Sequence, residues 1–171
     1  MNVSRVLVVS DTHIPTIAQR LPEKILEEAR STELIIHAGD IVSEATLARL
    51  SQINQVEAVR GNMDFPELSS KLPNTRLLEL GKWRVGVTHG HIGRGRDTPE
   101  RALSMFPAES VDCIVFGHSH VQMSETREGV LLFNPGSPTA GRGGLGNGYG
   151  ILEVGGKLEA RLVSLRGETR L

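Results

Sequence analysis

The chain is poor in several residues that large protein classes depend on. It has one cysteine in 171 residues, which excludes an intrachain disulfide and a cysteine-rich zinc knuckle. That residue, Cys113, lies in the apolar run Cys113-Ile-Val-Phe116, so it reads as a buried, inert thiol rather than a nucleophile. Aromatic residues make up only 4%, and none form the basic, aromatic-interleaved strip that stacks single-stranded nucleic acid. No apolar stretch approaches the roughly 20 residues needed to span a bilayer. Charge of one sign is also missing. The 19 basic and 20 acidic side chains leave a formal net charge of −1, which gives no global pull towards nucleic acid or an anionic membrane. The first residues show a strand pattern instead of a charged-then-apolar leader, so a cytoplasmic location is expected. With 39% hydrophobic and 23% charged residues, no repeat and no dividing linker, one soluble domain over 1–171 is expected.

What the chain does have is a series of short apolar runs, each ending in a turn that carries Asp, Asn or His. Val6-Leu-Val-Val9 lacks polar alternation, the mark of a strand buried on both faces, and it runs into Ser10-Asp-Thr-His13. Extended backbone would put Asp11 and His13 on one side. Pro22 suits the first turn of a helix over 23–30 with Ile25, Leu26 and Ala29 inward. Leu34-Ile-Ile36 leads to His37-Ala-Gly-Asp40. Ser43 caps a second helix whose inward residues are expected to be Ala45, Leu47, Ala48, Leu50 and Ile53. Val56 to Val59 leads to Arg60-Gly-Asn-Met-Asp64. Strand and helix alternate here as in parallel βαβ units.

The second half reads differently. Residues 75–80 and 83–88, joined by Gly81-Lys82, form a predicted hairpin that ends in His89-Gly-His91. A loop over 92–98 and a short helix near Pro99 precede Cys113 to Phe116, which ends in Gly117-His-Ser-His120. Strands are expected over 121–126, 130–133, 150–154 and 158–165. The last alternates apolar and polar residues, as a one-sided edge strand does. Asn134-Pro-Gly-Ser137 is read as a structural turn near the site, and 141–150 as a mobile loop. Trp83 is assigned to core packing.

All six histidines fall in the strand-end turns. Asp11, His13, Asp40, Asn62, His89, His118 and His120 give seven oxygen and nitrogen ligands without a thiolate. That donor set suits Mn²⁺, Fe²⁺, Co²⁺, Ni²⁺ or Zn²⁺. Seven exceeds the three protein ligands of one catalytic zinc and fits two ions. Two carboxylates against two divalent ions leave a charge of about +2, suited to a phosphate oxyanion.

The ordered set Asp11-x-His13, Gly39-Asp40, Gly61-Asn62-x-Asp64, His89-Gly90 and Gly117-His118-x-His120 resembles the calcineurin-like metallophosphoesterases. The short length, Asn62-Met-Asp64 and Asn134-Pro-Gly-Ser137 resemble their small phosphodiesterase branch, which also holds the retromer scaffold subunit. The resemblance implies an α/β fold, a four-layer αββα sandwich of two mixed sheets. It also implies two divalent ions, Mn²⁺ foremost, with Asp11, His13, Asp40 and His120 on the first and Asp40, Asn62, His89 and His118 on the second. Asp40 would be the bridge, and a hydroxide between the ions would attack phosphorus in line. Asn62 would also touch a phosphate oxygen. Many larger relatives carry a histidine after this asparagine as candidate general acid, whereas this chain has Met63. His91 is the candidate to supply or relay that proton, with support of the ligand turns as its alternative.

Arg94, Arg96 and Arg142 are candidate phosphate clamps beside Asn62 and His91, each set against a purely solvated surface role. His37 and Asp64 are assigned to supporting positions rather than to the metals. The expected function is therefore a phosphodiesterase acting on a small phosphodiester. A phosphomonoesterase, a nucleotide phosphatase, a nuclease and a non-catalytic protein-binding scaffold are its alternatives. A homodimer or higher homo-oligomer is compatible, and neither a membrane nor a nucleic-acid partner is expected.

Overall fold

A computed structural model describes residues 3–166; residues 1–2 and 167–171 of the expected domain lie outside the described residues. β1 (Arg5–Val9) is the centre strand of a sheet in the order β10-β9-β1-β2-β3, with β2 at Leu34–His37, β3 at Val56–Ala58, β9 at Gly148–Val154 and β10 at Leu158–Ser164. β1, β2 and β3 are parallel, and β9 runs antiparallel to β1. The second sheet has the order β4-β5-β6-β8-β7, from β4 (Thr75–Leu80), β5 (Trp83–Thr88), β6 (Cys113–Val115), β7 (Met123–Arg127) and β8 (Val130–Asn134).

Burial explains why β1 carries no polar alternation. Val6 and Val8 point into a core with Ile36, Val85, Val87, Cys113, Val115 and Phe133, which fills the space between the two sheets. Leu7 and Val9 point the other way, onto Ile25, Leu26 and Ala29 of helix α1 (Glu23–Ser31). On the far face of the second sheet Ile114, Phe116 and Leu132 pack with Ala102 of α4 (Thr98–Ser104). The result is two mixed sheets face to face with helices outside, as expected.

Several local expectations are corrected. The second half is more mixed than its hairpin pattern suggests: the pairs β4–β5, β7–β8 and β9–β10 are antiparallel, whereas β5, β6 and β8 are parallel to one another. A crossover through α4 links β5 to β6, which the hairpin pattern concealed. Helix α2 (Glu44–Ser51) buries Thr46 and Leu50, whereas Ala45 and Ala48 are exposed. Its rotation follows the Thr46 hydroxyl, which lies 3.0 Å from Ser43 Oγ and donates to Ile14 O at 3.4 Å. A four-residue helix, α3 (Pro66–Ser69), was not expected. Trp83 is only partly buried, and its Nε1–H donates to Gly155 O at 2.9 Å. The run over 141–150 is tied down: Gly141 N donates to Asn147 Oδ1, and Arg142 N to His120 O. No described helix is long and apolar enough to cross a membrane.

Ile36 is fully buried between the sheets and Leu77 is 56% exposed on β4. Ile36→Ala should lower unfolding free energy by about 2–5 kcal/mol, and Leu77→Ala should stay within about 0.5 kcal/mol. Chemical denaturation of the two variants checks this; equal losses would mean that the inter-sheet core is misassigned.

Candidate metal centre

The carboxyl ends of β1, β2, β3, β5 and β6 all open onto one end of the sandwich, where open α/β sheets collect their chemistry. The expected extended geometry at Asp11 and His13 does not occur. β1 stops at Val9, and Asp11 (φ 55°) and His13 (φ 47°) are left-handed, as are Asp40 (φ 55°), His118 (φ 68°) and His120 (φ 60°). Each such residue costs on the order of 1–3 kcal/mol, so the surrounding bonds must hold them. Asp11 N donates to Gly39 O at 3.0 Å and His13 N to Asp40 O at 3.1 Å, which laces the first turn to the second.

Asp11 is fully buried. Its Oδ2 accepts from Ser10 Oγ at 2.6 Å and from the His118 amide at 3.0 Å, whereas Oδ1 has no hydrogen-bond partner. Oδ1 faces His120 Nε2 at 3.2 Å, His13 Nε2 at 3.7 Å and His89 Nε2 at 3.9 Å. Asp40 repeats the design: Oδ1 accepts from the Met63 amide at 2.8 Å, and Oδ2 lies 3.2 Å from His89 Nε2 and 3.5 Å from His13 Nε2. Carbonyl groups fix two of the rings. His89 Nδ1–H donates to Ala38 O at 2.7 Å and His120 Nδ1–H to Ala140 O at 2.8 Å, so both Nε2 atoms face the carboxylates. Glycine is required where backbone meets ligand: a methyl on Gly61 would collide with Asp40 Oδ1, and one on Gly117 with Ser10 Oγ.

Two groups have the geometry to hold an ion, Asp11/His13/His120 and Asp11/Asp40/His89, each with its ligand atoms within 4.8 Å of one another. Asp11 is common to both, whereas Asp40 was the expected bridge. Both carboxylates have one oxygen tied and one free, and each free oxygen faces histidines of both groups. The buried atoms Asp11 Oδ1 and His89 Nε2 lack partners, and an all-oxygen and nitrogen donor set around them fits divalent cations. At the mouth, Asn62 is exposed and His118 half-buried, with Asn62 Oδ1 3.1 Å from His118 Nδ1.

The electrostatics match a site built for positive charge. Burial works to raise the Asp11 carboxyl, but the nearby His120 and His13 rings and the charge of His89 hold it far below the usual range. Asp40 is lowered in the same way against its burial, mainly by His89. Burial would lower His89, yet the Asp40 carboxylate 3.2 Å away and the charge of Asp11 raise it to about 9. His37 is fully buried, 3.1 Å from Thr12 Oγ1, and burial pushes it down to about 3. It supports the turn behind the ligands. Asp64 does the same, accepting from Val42 N at 2.7 Å and from Gly61 N at 2.6 Å.

The remaining candidates divide. His91 is half-buried, 5.3 Å from the His89 ring, and burial together with His89 and His118 lowers it to about 4. Arg142 lies close enough for its charge to oppose protonation of His120. Arg94 and Arg96 do not join the cluster. Arg94 is exposed, and Arg96 is 94% exposed and pairs with Glu100 at 3.6 Å, because the loop folds down onto α4. Sequence reasoning missed Arg60 and Arg101, whose charges oppose protonation of His91 and His118. Ser137 stands in a structural turn beside the site, as expected, its hydroxyl donating to Asp11 O at 2.7 Å, whereas Thr139, which donates to Thr12 O at 2.9 Å, was missed. Arg60 directly precedes Gly61-Asn62, the one signal that could have found it.

Comparison with known proteins gives a consistent picture. The model of the calcineurin-like phosphoesterase superfamily domain matches residues 5–157. A probable metallophosphoesterase of Methanothermobacter thermautotrophicus is 40% identical over 136 residues, 79% of this chain and 77% of that protein. Vacuolar protein sorting-associated protein 29 of Schizosaccharomyces pombe is 33% identical over 138 residues, 78% of this chain and 72% of that protein. The solved structure of an archaeal phosphodiesterase superposes with a TM-score of 0.72 at 26% identity, covering 94% of this chain and 99% of that one.

In the metal-free protein at pH 7, a His89 raised to about 9 carries a proton on the nitrogen that faces the cluster. An incoming cation must displace it, so binding should release at least one proton. The apparent Mn²⁺ affinity should then rise about tenfold per pH unit from 7 and level off near 9. Calorimetry in buffers of different ionisation enthalpy measures the release. A pH-independent affinity over that range would refute a protonated His89.

Proposed function

The chain belongs to the calcineurin-like phosphoesterase superfamily, and from that premise we propose that it is a two-metal phosphodiesterase acting on small phosphodiesters. The observation that carries this reading is the pair of buried Asp/His groups meeting at a carboxylate oxygen without a hydrogen-bond partner. Such a group is costly to bury unless a cation completes it.

On this reading Asp11, His13 and His120 would hold one ion, and Asp40, His89, Asn62 and His118 the other. Two divalent ions, Mn²⁺ first among them, would supply Lewis acidity at the phosphoryl oxygens and a lowered pKa for water. The residues of the chain do the rest. Ala38 and Ala140 keep His89 and His120 in the tautomer that presents Nε2. Asn62, exposed at the mouth, offers an amide to a phosphate oxygen. Arg60, Arg101 and Arg142 add positive charge around the opening and favour an anionic substrate.

The surroundings of His91 favour its supporting role over that of general acid. A group lowered to about 4 holds its proton on roughly one molecule in a thousand at pH 7, and further positive charge nearby lowers it more. His91 instead serves as a neutral imidazole that orients the phosphate. With Met63 beside Asn62, no acid stands ready for the leaving group, which favours diesters that depart as stable anions. The relationship to protein 29 offers a scaffold reading, but the seven candidate ligands are all retained, which favours catalysis.

Three measurements test the proposal. With Mn²⁺, the protein should hydrolyse bis(p-nitrophenyl) phosphate in preference to p-nitrophenyl phosphate. Asp40→Asn should lower kcat/KM at least about a hundredfold, beyond the 10–100-fold typical of residues behind the ligands. Full turnover in that variant would refute the two-metal reading. His91→Ala should reduce turnover equally for good and poor leaving groups, since it supplies no proton; a loss confined to the poor ones would reinstate the acid role.

A further inference from the structure

Exposed apolar side chains gather at one end of the molecule. Among the described residues six large ones are exposed: Ile17, Met63, Phe65, Leu77, Val121 and Leu145. Leu77 lies on β4. The other five stand on the loops that carry or adjoin the metal candidates: Ile17 four residues after His13, Met63 and Phe65 just after Asn62, Val121 directly after His120, and Leu145 in the loop after β8. Scattered exposed apolar residues need no explanation, whereas a group rimming a polar site marks a binding surface.

The loop after β3 is the most firmly built part of this rim. The Met63 amide donates to Asp40 Oδ1 at 2.8 Å, and the Phe65 amide to Val42 O at 2.9 Å. The Asp64 carboxylate takes the amides of Val42 and Gly61. Met63 is nevertheless 51% exposed and Phe65 43% exposed, so a stapled backbone holds two large apolar side chains in water beside the metal candidates. Phe65 also lines a groove of about 500 Å³ with the apolar Ile14, Pro15, Leu21 and Ala45, alongside the polar and charged Gln19, Arg20, Ser43, Thr46 and Arg49. Ile14 is the residue after His13, so the groove adjoins the same turns.

We infer that Met63, Phe65 and this groove seat an apolar or aromatic ester group of the substrate, making the β3 loop the element that selects among phosphodiesters. The inference rests on the phosphodiesterase reading for where the phosphate sits. With the phosphate on the Asp/His cluster, an ester oxygen directed at Asn62 brings its organic group over Met63. An aromatic ring covers both side chains, whereas a methyl group covers neither.

The test uses the full chain loaded with Mn²⁺ and two pairs of probes. Phenyl p-nitrophenyl phosphate and methyl p-nitrophenyl phosphate share a leaving group and report kcat/KM. Phenylphosphonate and methylphosphonate report binding by calorimetry without turnover. The phenyl member should be favoured about tenfold in both pairs, the effect of covering part of one ring. A Met63→Ser/Phe65→Ser variant, or either single variant if the double does not fold, should bring the ratios towards one. Leu77→Ser should leave them unchanged. Equal handling of the two members by the unaltered protein, or ratios untouched in the variants, would overturn the inference. A phosphonate preference with no turnover of either diester would uphold the seat and overturn the phosphodiesterase reading. Turnover without any preference would do the reverse.

Discussion

The centre depends on one arrangement: the Asp11 carboxylate, fully buried, with one oxygen tied and the other facing three imidazoles. A carboxylate removed from water must recover its lost solvation from fixed donors and opposite charge. The tied oxygen recovers part of it from Ser10 Oγ and the His118 amide. The free oxygen has no donor of its own beyond those rings. Much of the local structure follows from holding that group still. Gly117 leaves room for Ser10, Ser137 takes the Asp11 carbonyl, and Gly39 takes the Asp11 amide. Strained left-handed residues persist here because so many bonds over-determine them.

The same arrangement ties the site to the whole fold. Asp11, His13 and Asp40 come from the first sheet, and His89, His118 and His120 from the second. Their mutual distances are therefore set by how the sheets stack, through the core that joins Val8 and Ile36 to Val87, Val115 and Phe133. Packed interiors deform little. A substitution in that core is thus felt at the metal candidates as a change of spacing, even without contact to them.

The parts legible in the sequence were those with a strong local signal. Four apolar residues in a row at 6–9 could only be a strand with both faces covered, and Gly81-Lys82 between two alternating runs marked the hairpin to the residue. Turn after turn ending in Asp, Asn or His marked the site. What stayed hidden depends on tertiary contacts. Nothing local shows that Thr46 rather than Ala45 turns inward, since Ile14 O decides it. Nothing local shows that Ser137, 126 residues away, grips the Asp11 carbonyl. Arg94 and Arg96 are phosphate candidates by sequence position alone, and the bonds of their loop to Glu100 and Ser104 of α4 are tertiary contacts that position does not show. His91 kept its place beside the cluster, but burial and neighbours that spacing does not reveal lower its pKa and weigh against the acid role.

The proton and the metal are alternative occupants of one electrostatic need. Without a cation, His89 is driven to hold its proton by Asp40 and Asp11, and His120 is raised by its bond to Asp11. The buried carboxylates are then balanced by imidazolium charge. On the proposed reading a divalent ion replaces those protons and adds charge to spare, which is what attracts a phosphate. Burial grades this replacement across the site. Asp11, His89 and His120 lie at the back, closed off, whereas Asn62 and His118 stand at the mouth. The ligands at the back fix position and the ones at the mouth remain open to exchange with solvent or substrate. That open side is the side on which Met63 follows Asn62, so on the proposed reading the element that would close the ligand set would also meet the rest of the substrate.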